Sequence, residues 1–380
     1  MVIADSPMSV NRVSSLPRRA GTVLVVGLTA WAALAGSAWA QSGAAGKPPT
    51  ETVKPAPKSE RDISQWLTRL HEASRRRAYM GTFVVTVGSE MAASKIWHVC
   101  DGTRQVERIE TLTGTPRTTL RMNDEVMTFE PGAKTVWVEK REAFRLFPDF
   151  LNTPANHIAD HYVARMVKSD RIAGFEADVV DFAPKDQHRF GYRIWSEKKT
   201  GLVIKLQTLD AAQSVLEQVA FTELQLNAPI TVETLSRQMA QTEGYQVQPV
   251  VTHKTTPEQQ GWSLKTDVLG FTPAHCQSRA EPVNGVAKGA TGVSSPSSAS
   301  SAGSALGNTA AMQCIYTDGL ASVSLFVEPF DPQRHGKEKA LSSGATHSIA
   351  QRVGKHWVTA MGEAPPATLR QLAAAVETKP

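Results

Sequence analysis

The histidines and cysteines are the side chains of this sequence that could bind a metal or act in catalysis. His157 and His161 are four residues apart, a spacing that would place both imidazoles on one face of a helix. The helix of a zinc protease carries glutamate directly after its first histidine, but Ile158 stands at that position, and no third ligand is evident. We therefore interpret the pair as helix-surface histidines, and no metal site is expected.

His98 and Cys100 alternate along one predicted strand, but the sequence offers no evident partner that would complete a catalytic dyad. The chain also has no G-x-S-x-G motif, no Walker loop and no dinucleotide fingerprint. Its 380 residues are 20% charged, and the net charge of +5 arises without a long basic run. These observations disfavour an enzyme and a nucleic-acid-binding protein, and no cofactor is expected.

The N terminus has the features of an export signal. Arg18 and Arg19 precede an apolar stretch rich in small residues, which ends in the A-x-A motif of Ala38–Ala40. We interpret residues 1–40 as a signal peptide, with an uncleaved membrane anchor as the alternative. Residues 41–60 are rich in proline and lysine without hydrophobic periodicity, which predicts a disordered arm.

Three cysteines in an oxidising compartment favour one disulfide and one free thiol. Cys276 and Cys314 flank a low-complexity stretch of serine, glycine and alanine. If the residues around them form neighbouring strands, a disulfide would close the base of this loop and contribute roughly 3–4 kcal/mol. The alternative is two buried free thiols. The sequence does not assign a role to Cys100.

Residues 60–228 carry the pattern of a helix followed by a large antiparallel sheet. An apolar stripe over Ile63–Ala73, with Asp62 as its N-cap, predicts the helix. From Tyr79 the hydrophobic period is two, and strand-like segments separated by turn residues recur about every ten residues. A short helical stretch is predicted over residues 148–161. So large a sheet must curl, and a helix against its concave face would leave a half-open barrel with an apolar ligand site.

The second half of the chain predicts a smaller domain. The polar residues 229–248 are interpreted as a linker that contains a short helix at Val232–Met239. Residues 249–378 are predicted to form a small antiparallel sheet and a last helix over Pro365–Val376, with a disordered insertion at about 280–310. The predicted fold class is therefore α+β with two sheets.

An apolar and aromatic set in the first half of the large sheet is the candidate ligand-binding surface. Methionine and aromatic side chains adapt to flexible acyl chains, so this set would suit the concave face of a lipid-binding sheet. The alternative for each residue is an ordinary core position. The set comprises Phe83, Val85, Met122, Phe129, Trp137, Phe144, Phe147 and Phe150.

Several short motifs are concentrated between Arg171 and Asp210 and recur in both halves of the chain. They are RIAG at Arg171–Gly174, RFGYRIW at Arg189–Trp195, TGL at Thr200–Leu202, FEPG at Phe129–Gly132, YTDG at Tyr316–Gly319 and GEAPP at Gly362–Pro366. With these motifs the chain resembles the periplasmic sigma-E regulators of the RseB/MucB family. The resemblance covers about residues 60–378, with both domains in order, and the Ser/Gly/Ala insertion with its flanking cysteines departs from it.

The resemblance implies a fold, partners and a mechanism. The large domain would be a LolA-like curved antiparallel half-barrel with covering helices. By this resemblance, the protein would bind the periplasmic region of a membrane anti-sigma factor of the RseA/MucA type and protect it from site-1 proteolysis, and lipid or lipopolysaccharide acyl chains would release it. We therefore expect a periplasmic negative regulator of the envelope stress response; the alternative is a periplasmic lipid or lipoprotein carrier. The sequence leaves open the identity of the lipid, the contact residues and whether the chain forms a homo-oligomer.

Overall fold

The computed structural model describes residues 62–140, 155–265, 269–279 and 312–378. The predicted signal peptide, the N-terminal arm and the insertion of about 280–310 lie outside these residues. So do three members of the candidate ligand-binding set, namely Phe144, Phe147 and Phe150. No helix among the described residues has the length and hydropathy that crossing a membrane requires.

Helices and strands follow one another along the chain in the order that the α+β prediction implies. They are α1 (Ile63–Arg76), β1 (Tyr79–Val87), β2 (Glu90–Cys100), β3 (Gln105–Thr111), β4 (Thr118–Met122), β5 (Glu125–Glu130), β6 (Thr135–Lys140), α2 (Ala155–His161), β7 (Tyr162–Ile172), β8 (Phe175–Pro184), β9 (Gly191–Glu197), β10 (Val203–Leu209), β11 (Val215–Leu226), α3 (Val232–Met239), β12 (Gln246–Pro249), β13 (Thr252–Lys254), a 3₁₀ turn (Glu258–Gln260), β14 (Trp262–Leu264), β15 (Thr272–Arg279), β16 (Met312–Thr317), β17 (Ser322–Pro329), β18 (Lys339–Ser343), β19 (Thr346–Val353), β20 (His356–Gly362), α4 (Pro366–Ala374) and β21 (Val376–Thr378).

Twelve of these strands form the large sheet, in the order β12-β6-β5-β4-β3-β2-β1-β11-β10-β9-β8-β7. All neighbours are antiparallel except β12 and β6, which are parallel. The terminal strands β12 and β7 do not pair with each other, so the curved sheet is open. The predicted α+β fold with a large open antiparallel sheet is confirmed.

Helix α1 packs on strands β8, β9 and β10, which lie far from it in the sequence. Asp62 caps it by accepting a hydrogen bond from the backbone N–H of Gln65 at 2.8 Å, which satisfies one of the free donors of the first turn. Its stripe of Trp66, Leu67 and Leu70 is buried against apolar residues of β8, β9 and β10. The helix therefore closes one part of the large sheet, as its hydrophobic periodicity predicts.

The segment interpreted as a linker contributes to the large sheet. Helix α3 occupies the predicted residues, and its buried Val232 and Leu235 pack on Val99 and Val106 of the sheet. Strand β12 then pairs with β6 at one edge, with all four of its residues exposed. An exposed edge strand needs no apolar alternation, which is why its composition resembled that of a linker.

The small sheet has seven antiparallel strands in the order β13-β15-β16-β17-β20-β19-β18, and α4 covers its buried face. The last helix ends at Ala374, so the prediction that it includes Val376 is wrong. Val376 instead pairs with Leu264 in the two-stranded sheet of β14 and β21. Its side chain is buried in the same core as Leu369 and Leu372, which is why it matched the helical spacing.

Gly81 of β1 lies where the sheet leaves no room for a side chain. A Cβ atom at this position would overlap the backbone carbonyl oxygen of Glu223 and the ring of Phe221 on β11. We expect Gly81→Ala to lower the free energy of unfolding by about 1–3 kcal/mol, because a strand in a packed core cannot move aside. The control, Gly132→Ala, meets no atom within 4 Å and should change it by less than about 0.5 kcal/mol in urea unfolding. An equal loss in both variants would contradict the expectation.

Candidate functional site

Strand register assigns each member of the candidate ligand-binding set to a face of the large sheet. The pairing from β1 to β6 is antiparallel and unbroken, so side chains alternate between two faces without a shift. Phe83, Val85 and Trp137 point to one face, which we call face A. Met122 and Phe129 point to the opposite face, which we call face B. The five described members of the set therefore do not line a single cavity.

The environments of these residues differ accordingly. Phe83 and Val85 are buried in a filled core, where the Phe83 ring meets Phe221 edge-on at 6.2 Å. Phe129 is buried on face B, where it packs with Met239 of α3 and meets the ring of Tyr245 at 5.5 Å. Trp137 is half-buried, and its indole N–H donates to Glu130 at 3.3 Å. Of the five, Trp137 therefore keeps exposed aromatic surface on face A.

Face A becomes polar beyond Phe83 and Val85. His98, Glu107 and Arg121 follow on successive strands, and each is at most 8% exposed. Glu107 and Arg121 are direct cross-strand neighbours on β3 and β4. Sequence reasoning considered His98 only for a catalytic dyad and did not single out Glu107 or Arg121. The register shows that all three share a face with Trp137.

His98 has a structural role. Its ring stacks on Tyr79 with centroids 4.8 Å apart, its Nδ1 lies 2.8 Å from the carbonyl oxygen of Arg77, and its Nε2 lies 2.9 Å from the amide of Gln105. Cys100 accepts a hydrogen bond from the N–H of Gly102 at 3.4 Å. These contacts tie β2 to its neighbours and do not form a nucleophile–base pair.

His157 and His161 lie on α2 with ring centroids 5.2 Å apart. The ring of His161 packs directly on Gly270 of the small domain, and burial together with the nearby Arg189 charge lowers the pKa of this imidazole. Among the described residues no group of three or more metal-binding side chains is close enough to hold an ion. His161 thus contributes to the contact between α2 and the small domain.

A buried ion pair joins the large sheet to the small one. Arg189, in the loop between β8 and β9, contacts Asp318, in the turn between β16 and β17, at 2.8 Å, and both side chains are 0% exposed. Tyr162, the first residue of β7, donates to the same carboxylate at 3.0 Å. Arg189 also donates to the carbonyl oxygen of Leu269 and to Asp186. We call these five residues the interface cluster.

A second contact between the sheets brings two carboxyl groups together, and among the described residues no cation faces them. Glu217 of β11 lies against the β18–β19 turn, and the N–H of Ala345 donates to it. Burial and the nearby Glu363 raise the pKa of Glu217 to about 7, and burial raises the pKa of Glu363. The second carboxyl oxygen of Glu217 is buried without a hydrogen-bond partner. This contact thus favours protonated carboxyl groups.

The arginine-rich end of α1 borders a groove of about 770 Å³. Its lining is largely charged and polar, and it includes Arg69, Glu72, Arg76 and Arg77. None of the five candidate ligand-binding residues that the structure describes borders it. The charged side chains of its lining could contact polar or anionic groups.

Cys276 and Cys314 are joined by a disulfide and are direct cross-strand neighbours on β15 and β16. Cys100 is a free thiol on β2. The disulfide links the two strands at the point where the chain leaves for the insertion and returns from it.

Thiol titration of the denatured, non-reduced protein should find one reactive cysteine, and three after reduction. Reduction should also lower the free energy of unfolding by about 4 kcal/mol, because the cross-link restricts a loop with a sequence separation of 38 residues in the unfolded chain. The variant Cys100→Ser serves as the control: it should remove the reactive thiol and leave the loss on reduction unchanged. Three reactive cysteines before reduction would contradict the disulfide.

The fold and its contacts define a two-domain α+β protein whose sheets are joined by buried polar groups. Residues 62–239 match the MucB/RseB N-terminal domain, and residues 256–377 match the MucB/RseB C-terminal domain. The chain belongs to the MucB/RseB family, as the resemblance in its sequence predicted.

Individual relatives agree with this assignment. The chain is 27% identical over 322 residues to the sigma factor AlgU regulatory protein MucB of Pseudomonas aeruginosa, covering 83% of this chain and 90% of that protein. It is 23% identical over 159 residues to the sigma-E factor regulatory protein RseB of Haemophilus influenzae, covering 42% and 50%. A crystal structure of MucB in complex with MucA(peri) is similar with a TM-score of 0.60 at 25% identity, covering 84% of this chain and 100% of that one.

Proposed function

We propose that this protein is a periplasmic negative regulator of the envelope stress response. It binds the periplasmic region of a membrane anti-sigma factor of the RseA/MucA type and protects that region from site-1 proteolysis. The observation that carries the proposal is the match of both domains, in order, to a family whose relatives are regulators of sigma factors. The similar crystal structure of MucB with MucA(peri) supports a protein partner for this fold.

Two features of the structure support the binding of a protein partner. The large sheet is open, so its terminal strands present backbone groups that an extended peptide can pair with. The small sheet is held to it by the interface cluster, so a partner that touches both sheets would meet a defined surface. The export signal predicted over residues 1–40 agrees with a periplasmic location.

Lipid release is the second part of the proposal. We place the lipid on face A at Trp137, which is half-buried and keeps exposed aromatic surface there. A lipid that binds more tightly to one arrangement of the protein lowers the affinity of the protein for the anti-sigma factor. The anti-sigma factor then lowers the affinity of the protein for the lipid by the same factor. Each buried methylene would add about 0.8 kcal/mol, so one acyl chain can bias an equilibrium of a few kcal/mol.

Calorimetric titration of the mature chain with the periplasmic domain of the cognate anti-sigma factor tests the first part. Binding at micromolar concentration or tighter, together with slower cleavage of that domain by the site-1 protease, is the expected result. Absence of binding would overturn the regulator. Lipid found by mass spectrometry of the purified protein without any binding of the anti-sigma factor would favour the carrier.

Competition tests the second part. Added lipopolysaccharide should raise the apparent Kd for the anti-sigma factor domain, and Trp137→Ala should weaken this effect. An unchanged Kd at saturating lipid would refute release by lipid and leave the regulator intact.

A further inference from the structure

The turn between β18 and β19 of the small sheet packs directly on the large sheet. A Cβ atom at Gly344 of this turn would lie 2.7 Å from Cγ1 of Val87 and 3.1 Å from the backbone oxygen of Leu216. The same Cβ atom would lie 3.3 Å from Oε2 of Glu217. Only a glycine allows so close an approach, so the turn covers one carboxyl oxygen of Glu217.

On its own sheet Glu217 is surrounded by uncharged groups. Its direct cross-strand neighbours on face A are Val87 of β1 and Thr208 of β10, and Tyr192 of β9 follows beside Thr208. The hydroxyl of Tyr192 and Oε2 of Glu217 are both buried without a hydrogen-bond partner among the described residues. Burial and the charge of Glu363 raise the pKa of Tyr192 above its ordinary value, so this phenol stays neutral.

The small domain adds a second carboxyl group. Burial and then the charge of Glu363, which follows β20, raise the pKa of Glu217, although the N–H of Ala345 donates to Glu217 and opposes this shift. The histidine of this turn, His347, is neutral at pH 7, because burial lowers its pKa from 6.5. Among the described residues no cation therefore faces the two carboxyl groups from either sheet.

Ionisation of Glu217 would leave a buried and uncompensated charge at this contact. A carboxylate held away from water is costly unless it is paired, and exposure to water removes the cost. Because the turn covers the carboxyl oxygen, water reaches that oxygen when the turn moves away. Arg189 and Asp318 of the interface cluster neutralise each other, so their contact has no such reason to separate.

We propose that Glu217, Glu363, Gly344 and Ala345 form a pH-dependent latch, which keeps the β18–β19 turn on the large sheet while Glu217 is protonated and loosens when Glu217 ionises. The arrangement of the two domains then responds to the pH of the surrounding medium. The inference goes beyond the proposed function, because it concerns a contact within this chain and requires no partner.

Hydrogen exchange of the unchanged protein at pH 6 and pH 8 tests the latch, with each rate corrected for the intrinsic effect of pH. The pKa of Glu217 is about 7 when the turn is docked and returns to 4.5 when the carboxyl group is exposed. The docked state therefore holds a proton that the loosened state has released, and the docking constant should fall about tenfold from pH 6 to pH 8. The protection factor of the Ala345 amide should fall by the same factor.

Urea distinguishes release of the turn from unfolding of the whole protein. Release exposes little surface, so about 1 M urea should leave the exchange rate of Ala345 nearly unchanged. The amides of β9, in the core of the large sheet, exchange by global unfolding and should lose protection in the same urea.

Two variants of β11 provide the matched comparison. Glu217→Gln carries no charge, and its Ala345 amide should be equally protected at pH 6 and pH 8. Glu223→Gln changes an exposed carboxyl group of the same strand and should retain the tenfold fall.

Three results would overturn the latch. The first is an equal protection of Ala345 at both pH values in the unchanged protein, which needs no variant to fold. The second is a fall in Glu217→Gln as large as in Glu223→Gln. The third is an Ala345 amide with the exchange rate and urea dependence of the β9 amides, because the turn would then separate only when the whole protein unfolds.

Discussion

Replacing Arg189 by methionine is expected to lower the free energy of unfolding by about 3–5 kcal/mol. The reason is the burial of its partner: Asp318 is fully enclosed and would keep a negative charge without its cation. The hydrogen bond from Tyr162 and those from the backbone N–H groups of Leu320 and Ala321 would remain, but they cannot neutralise the carboxylate. Urea unfolding followed by circular dichroism measures the loss.

The control for this variant is Arg193→Met. Arg193 pairs with Asp181 within the large sheet at 2.6 Å, but the two side chains are 30% and 22% exposed, so water screens the pair. Loss of this pair should lower the free energy of unfolding by about 1 kcal/mol or less. The double variant Arg189→Met with Asp318→Asn should recover part of the stability, because it removes the uncompensated charge. Similar losses for Arg189→Met and Arg193→Met would show that the interface pair is not buried in solution.

A second large effect is expected from Glu217→Gln at alkaline pH. The pKa of Glu217 is raised from 4.5 to about 7 in the folded protein. Between these values the folded state holds a proton that the unfolded state has released, so stability falls as the pH rises from about 4.5 to about 7. Above pH 7 the full penalty, about 3 kcal/mol, is present. Glutamine carries no charge, so the variant should be more stable than the parent by about 2–3 kcal/mol at pH 8 and equal to it near pH 4.

Glu223→Gln is the matched control on the same strand. Glu223 is exposed, and its replacement should change the free energy of unfolding by less than about 0.5 kcal/mol at either pH. Urea unfolding of the parent and both variants at pH 4, 6 and 8 makes the comparison. A parent protein that is equally stable at pH 6 and pH 8, or a Glu217→Gln variant that gains nothing at pH 8, would contradict the burial of this carboxyl group.

Much of the secondary structure could be predicted because its signals are local. The helix α1 carries its own N-cap and apolar stripe, and α3 lies at the residues that the periodicity indicated. The error at Val376 has a tertiary cause: one buried core accepts side chains from α4 and from β21, so apolar spacing alone did not locate the end of the helix.

The face on which each member of the candidate ligand-binding set lies could not be predicted from the sequence. Alternation along a strand separates two faces, but it does not say which residues of different strands share a face. That depends on register, which places Met122 and Phe129 opposite to Phe83 and Val85. Glu107 and Arg121 on face A escaped notice for the same reason, and His98 was considered only beside Cys100 of its own strand.

The sequence by itself determined the fold class, most of the helices and strands, and membership of the MucB/RseB family, since caps, periodicities and short motifs are properties of neighbouring residues. Only the tertiary structure decided which side chains meet. Tyr162 and Asp318 are 156 residues apart in the chain and 3.0 Å apart in the interface cluster, and β7 becomes an open edge only through the order of the strands. Such contacts arise from packing over the whole chain, and no local pattern encodes them.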